Sequence, residues 1–427
     1  MMTNAMIANI ILVFILISLI ANKTPTGLTA LLGALAMALF GIISFSDVLS
    51  QFGSDTVMMV VGVFVIGNTM FETGCAQLIG KVLVRIKGVG TNEKNFLTFI
   101  MIFTAGLSAF VSNTATLAMM LPLIASVAAT SGGTITKKNT YMATAIASIV
   151  GGNISLAGST PQLVAQGILE QTAGCRTLTF FELARGTLPV LIVMLIYFVT
   201  IGYRFQKRVF DFPDVPDCGA ATRQSDAISY KKAILSATIF IGCVIAFATS
   251  IAKFGTIAII GACLCCLTGC ITPSRIWATM DWNTIIVLGG SLGFAAGMEQ
   301  SGALRLIADN ALAILGAGSA SIWLSAAAII IVCSAFSNLM SNTATTAMMA
   351  PIAIAMAQGM HQDPIPYVVM VIIASNLAFA TPVSTPPMTM VLIGGYRFSD
   401  YLKVGGLFNI IAVVVAIFTL PVLYGLV

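Results

Sequence analysis

Ser112-Asn113-Thr114-Ala115-Thr116-Leu117-Ala118-Met119-Met120-Leu121-Pro122 returns later in the chain as Ser341-Asn342-Thr343-Ala344-Thr345-Thr346-Ala347-Met348-Met349-Ala350-Pro351, identical at nine of eleven positions. In each copy an uncharged polar triplet sits between two apolar arms. Such a triplet is costly in hydrocarbon unless protein or a wet cavity satisfies it. Two of them, at matching places in the two halves of a membrane chain, point to a ligand site where the halves meet.

The rest of the chain identifies the solvent as a bilayer. Of its 427 residues 58% are hydrophobic and 8% charged, with a mean hydropathy of +1.01. Soluble domains carry about 25% charged residues. The longest polar stretch, from Arg204 to Lys232, is too short for a soluble domain. The net charge of +5 sits in loops between spans, so no nucleic-acid partner is expected. Cys263 and Cys266 form a lone C-x-x-C and His361 is the only histidine, so the nine cysteines read as packing residues, not metal ligands. Met1 to Asn9 has no basic residue, and the first apolar run is therefore read as a retained span.

A span needs about 20 apolar residues. Helices are expected at about 5–21, 27–43 and 55–71, followed by an amphipathic segment at 74–88. A first hairpin covers 96–130 and folds back at Ser112–Thr114; a broken span covers 140–170, interrupted at Gly158-Ser159-Thr160-Pro161; a span at 186–204 closes the half. The order then repeats: helices at about 231–250, 254–271 and 282–298, an amphipathic segment at 300–314, a hairpin at 320–358, a broken span at 366–394 interrupted at Val383-Ser384-Thr385-Pro386-Pro387, and a last span at 404–425. The expected fold is an all-α polytopic membrane protein of two inverted repeats, each with five crossings and one re-entrant hairpin. Placing both termini outside leaves only Arg176, Arg185, Lys253 and Arg305 of the 20 basic residues on the outer face, as the positive-inside rule asks. The glycines of Val61-Gly62 and Gly289-Gly290 read as close helix contacts.

The breaks free backbone carbonyls in mid-membrane, since proline removes an N–H and clashes with the preceding turn. Unwound carbonyls can ligate a cation, while half-helix N-termini point N–H groups at an anion. Serine, threonine and asparagine oxygens can complete a shell for a hard cation such as Na⁺. The hairpins and breaks carry no Asp, Glu, Lys or Arg, which weighs against a proton relay and against a buried arginine clamp. An anion would then be held by helix dipoles, hydroxyls, amides and a co-bound cation.

The paired Ser-Asn-Thr tips and the broken spans resemble the divalent anion/sodium symporters of the wider ion-transporter superfamily, over nearly the whole chain. The resemblance implies a homodimer in a bacterial inner membrane that moves di- or tricarboxylates or sulfate, with Na⁺, by elevator-type alternating access. It implies a scaffold from 1–94 and 206–318 and a transport domain from 95–205 and 319–427. Carried over, Asn113, Thr114, Ser159, Asn342, Thr343 and Pro386 contact the substrate. One Na⁺ site takes Ser108, Ser112, Asn113 and Gly158; the other takes Ser337, Asn342, Ser384 and Pro386. The chain departs from the family pattern at Gln162 and Met388, where Asn is common, and the family's extra leading helix is not expected here. The first departures leave Na⁺ stoichiometry and Na⁺-independent exchange open. An arsenite or other oxyanion permease and a Na⁺/H⁺ antiporter stand as alternatives within transport. A membrane-embedded enzyme would need a catalytic cluster such as His/Glu metal ligands, and the sole histidine lies in a loop. No enzymatic activity is expected.

Overall fold

The structure is a computed structural model that describes residues 3–21, 24–74, 92–214, 230–249, 251–303, 306, 322–382 and 384–426. These are helices joined by short turns. In the first half they run α1 (Asn4–Ala21), α2 (Thr26–Leu39), α3 (Phe45–Ser50), α4 (Asp55–Glu72), α5 (Glu93–Ser108), α6 (Asn113–Thr130), α7 (Lys137–Gly152), α8 (Thr160–Gln171), α9 (Glu182–Tyr197) and α10 (Tyr203–Val209). In the second half they run α11 (Tyr230–Thr249), α12 (Phe254–Leu267), α13 (Pro273–Thr279), α14 (Trp282–Gln300), α15 (Ile322–Leu339), α16 (Asn342–Gly359), α17 (Pro364–Asn376), α18 (Pro386–Met390) and α19 (Gly406–Leu423). The amphipathic segments expected at 74–88 and 300–314 fall largely outside the described residues.

Among the described residues, four segments are long and apolar enough by themselves to cross a membrane: Phe45–Met70, Glu182–Val199, Tyr230–Thr249 and Phe398–Leu423. At the hairpins and breaks the chain turns back or unwinds part-way. At the first hairpin the reversal occupies 109–112 and α6 starts at Asn113, with the Ser112 hydroxyl accepting from the Ala115 N–H at 3.4 Å. Ser341 caps α16 in the same way, through Ala344 at 3.2 Å. Satisfying an orphan N–H at a helix start is the ordinary use of a serine at this position.

The breaks differ from the sequence expectation in extent. Unwinding begins at Asn153 and at Leu377, well before the prolines. Pro161 and Pro386 sit in the first turn of the following half-helix, where the missing N–H has no intrahelical acceptor to lose. The prolines thus restart each helix instead of ending one.

Close contacts between the halves come in matched pairs. A Cβ on Gly62 (α4) would lie 2.3 Å from the Ala258 backbone of α12, and one on Gly290 (α14) 2.6 Å from the Leu31 backbone of α2. The Gly27 N–H donates to Asn283 Oδ1 at 3.3 Å, and the Gly255 N–H donates to Asp55 Oδ1 at 3.1 Å. Within each half there is a matched contact too: Gly33 lies against Ile15, and Gly261 against Cys243. Each contact made by a residue of one half is made again by the residue at the corresponding place in the other.

Helices α1–α4 and α11–α14 pack on one another, chiefly through α2 on α14 and α4 on α12. Helices α5–α7, α9 and α15–α19 form a second group, with α5 and α6 on α7, α15 and α16 on α17, and α9 on α19. Half-helix α8 touches both, packing on α4 and α14 and on α16 and α17.

Overpacking a tight contact costs about 1–3 kcal/mol. Gly62→Leu and Gly290→Leu are each expected to lower the thermal unfolding temperature of the detergent-purified protein. Gly242→Ala, where nothing lies within 4 Å, should leave it unchanged or raise it. Equal melting of all three variants would contradict these contacts.

Candidate functional site at the helix breaks

The backbone groups freed by the breaks find side-chain partners, as buried polar groups in hydrocarbon must. In the first break Gln162 Nε2 donates to the Gly152 carbonyl at 2.9 Å and to Asn153 Oδ1 at 3.2 Å, and Thr187 donates to the Asn153 carbonyl at 2.8 Å. In the second, Ser334 donates to the Leu377 carbonyl at 2.6 Å, the Ala380 N–H donates to Asn338 Oδ1 at 2.9 Å, and the Phe379 N–H donates to Asn409 Oδ1 at 3.0 Å. These contacts hold the unwound strands open without a helix to support them.

At the first tip the Asn113 side-chain amide is buried against three oxygens: Ser108 Oγ at 2.7 Å, the Ser148 carbonyl at 3.0 Å and the Gly158 carbonyl at 3.1 Å. With its nitrogen turned toward them, the amide offers its two N–H groups to the three oxygens. With its oxygen turned toward them, four oxygens share a single hydroxyl proton, an arrangement a hard cation neutralises. At the second tip Ser337 Oγ lies 2.7 Å from Asn342 Oδ1 and also meets the Ser375 carbonyl. One hydroxyl proton serves only one of those acceptors. Both donor sets are uncharged oxygens, which fits Na⁺ and gives no ligand for a softer metal.

The two halves join here. Asn342 Nδ2 donates to Asn376 Oδ1 at 3.0 Å, and Ser159 Oγ donates to the same oxygen at 3.3 Å. A residue of the first break and a residue of the second tip therefore share one acceptor. Half-helix α8 packs on α16, which begins at the second tip, and α18 packs on α6, which begins at the first. Helix N-termini thus gather around this region, and their exposed N–H groups and dipoles favour negative charge.

Of the sequence-predicted residues, Ser108, Asn113 and Gly158 come together, and so do Ser337, Asn342 and Ser159. Ser112 uses its hydroxyl as a cap, and its carbonyl accepts from the Thr116 N–H at 2.9 Å. Ser384 donates within its own break, to the carbonyls of Ala378 and Thr381, and not to the second tip. Thr114 and Pro386 are exposed and Thr343 half-buried; neither threonine hydroxyl has a hydrogen bond among the described residues. Asn376, Asn338 and Asn409 were missed. Asn376 and Asn409 are each a lone amide in an apolar run, and Asn338 adjoins the polar second tip; that was the available signal.

Broken half-helices with uncharged, converging oxygens in a polytopic bundle are the architecture of a membrane transporter. Residues 12–371 match the citrate transporter family, and the chain belongs to it. It is 29% identical over 423 residues to an uncharacterized transporter of Haemophilus influenzae, covering 95% of this chain and 89% of that one. It is 24% identical over 438 residues to the sodium-dependent dicarboxylate transporter SdcS of Staphylococcus saprophyticus, covering 93% and 82%. Its fold is similar to the crystal structure of the Alcanivorax borkumensis YdaH transporter, with a TM-score of 0.66, 14% identity, and 90% and 88% of the chains covered. It is also similar to Neisseria gonorrhoeae MtrF, with a TM-score of 0.62, 15% identity, and 87% and 83% covered.

A Cβ on Gly152 would lie 2.0 Å from Asn113 Oδ1. Gly152→Ala is expected to displace that amide and cut uptake of citrate or succinate into vesicles at least tenfold, with the protein still inserted and monodisperse. Wild-type uptake by this variant would remove Asn113 from the site.

Proposed function

We propose that this protein is a Na⁺-coupled secondary transporter of di- or tricarboxylates, with citrate and succinate the first candidates. The observation that carries this reading is the pair of oxygen clusters at Asn113 and Asn342, each beside a helix N-terminus, with Ser159 of the first break linked to Asn342 through Asn376. The family match and the likeness to SdcS support a carboxylate substrate and Na⁺ as the coupling ion. Cation and anion sites side by side each offset the cost of desolvating the other, which is a physical basis for coupling.

In this reading Asn113, Thr114, Ser159, Asn342, Thr343 and Pro386 face the carboxylates. Ser108, Asn113 and Gly158, with Ser112, form one Na⁺ site; Ser337 and Asn342, with Ser384 and Pro386, form the other. The matched contacts of Gly62 with Ala258 and Gly290 with Leu31 support two inverted repeats. The two packing groups support a scaffold of 1–94 and 206–318 and a transport domain of 95–205 and 319–427. Movement of the second past the first, as an elevator within a homodimer, would slide α8 along α4 and α14. The hydrogen bonds of Thr56 to Glu170 and of the Ala173 N–H to Glu299, both 2.8 Å, would break on the way.

The test is a thermal-shift screen of purified protein against citrate, succinate, sulfate and arsenite, in Na⁺ and in choline. A carboxylate that stabilises in Na⁺ and less in choline is the expected result. Stabilisation indifferent to Na⁺ points to exchange, and a response only to arsenite overturns the reading. Asn113→Ala and Asn342→Ala are each expected to abolish uptake without loss of membrane insertion; normal transport in either sinks the site.

A further inference from the structure

We propose that Asn376 is the positioning residue that couples the cation cluster at the second hairpin tip to the anion-facing break of the first half. The inference rests on the Na⁺-coupled reading above and deepens it. Asn376 is wholly buried at the C-terminal end of α17. Its Nδ2 donates to the Ile372 carbonyl at 3.1 Å, which fixes the amide so that Oδ1 faces Ser159 and Asn342. Asn342 in turn donates its Nδ2 to Asn376 and so presents Oδ1 to Ser337. The result is one oriented chain of polar groups, from Ser159 through Asn376 and Asn342 to Ser337, that crosses between the halves.

The Ser159 hydroxyl has a single proton, and it is given to Asn376. Ser159 is also the N-cap residue of α8, but its side chain makes no capping hydrogen bond there. A carboxylate arriving at the start of α8 competes for that proton, because hydrogen bonds to charged acceptors are the stronger ones. Once Ser159 turns to the anion, Asn376 Oδ1 keeps only the Asn342 donor. That remaining bond strengthens, and it polarises the Asn342 amide so that its oxygen becomes a better ligand for a cation. Anion binding thereby raises cation affinity, and linkage makes the effect reciprocal. Among the described residues the first half has no counterpart of this wire: Asn153, at the end of α7, accepts from Gln162 of its own break.

The test is calorimetric titration of the purified full chain with citrate and with succinate, in Na⁺ and in choline. The readout is the gain in anion affinity that Na⁺ brings. In the wild type this gain is expected to be at least about tenfold, within the usual range of coupling between sites. In Asn376→Ala it should fall below about twofold, whatever that variant's affinity in choline. Asn376→Gln, which keeps a carboxamide, should restore part of the gain. Ser159→Ala should lower the gain as far as Asn376→Ala does, and the double variant no further, because both remove the same hydrogen bond. A full Na⁺ gain in Asn376→Ala, or independent and additive losses in the two single variants, overturns the proposal. If Asn376→Ala is not monodisperse, the Na⁺ gain of Ser159→Ala decides: a full gain overturns the proposal and a lost gain supports it. A wild type with no Na⁺ gain for either anion overturns the Na⁺-coupled reading itself, and this proposal with it. A wild-type gain that persists in Asn376→Ala overturns only the role given to Asn376.

Discussion

Every backbone N–H and C=O in a bilayer must find a partner inside the protein. This requirement shapes the molecule. An unbroken helix meets it by itself; a broken one meets it only if side chains reach in. Gln162 and Thr187 serve one break, and Ser334, Asn338 and Asn409 serve the other. These amides and hydroxyls are structural, yet they make the site. They hold two unwound segments open among helix ends, so uncharged oxygens and free N–H groups can face a solute instead of each other.

The same economy of charge governs recognition. The clusters at Ser108–Asn113 and Ser337–Asn342 contain no carboxylate and no basic side chain. In the proposed Na⁺-coupled reading, an anion and a cation bound together would supply each other's counter-charge, and neither would leave a permanent buried charge when it departs. Charged groups in this half of the chain are placed at the margins. Glu93, at the start of α5, gathers Thr136, Asn139, Tyr203 and Lys207 and ties the hairpin to α7 and α10. Arg176 and Glu182 pair in front of α9 at 2.6 Å, and that carboxylate pushes the guanidinium up from its ordinary value.

Half-helix α8 connects these themes. It starts at Ser159 in the site and ends at Gln171, beside the carboxylates of Glu170 and Glu299. It packs on both helix groups. Elsewhere the groups meet through aromatic rings, with Phe180 stacked on Phe247 at 4.7 Å and Phe110 edge-on to Phe240 at 5.7 Å. Apolar ring contacts are non-directional, whereas the two carboxylate hydrogen bonds are directional.

Much was legible in the sequence. Membrane class, helix order and the two hairpins follow from hydropathy and from a near-exact repeat, because hydrocarbon tolerates few alternatives. The polar tips were legible because an uncharged Ser-Asn-Thr has no cheap place in a membrane. The prolines were visible but misread: their position in a first turn depends on where the preceding half-helix lets go, and Gly152 and Asn153 give no strong signal for that. The sequence alone determined that two identical polar tips exist and that each lies near a break. Only the tertiary structure decided that Ser159 of one half and Asn342 of the other share the oxygen of Asn376. The reason is physical: a hydrogen bond across 217 residues of chain depends on how whole helices pack, and no local pattern encodes that.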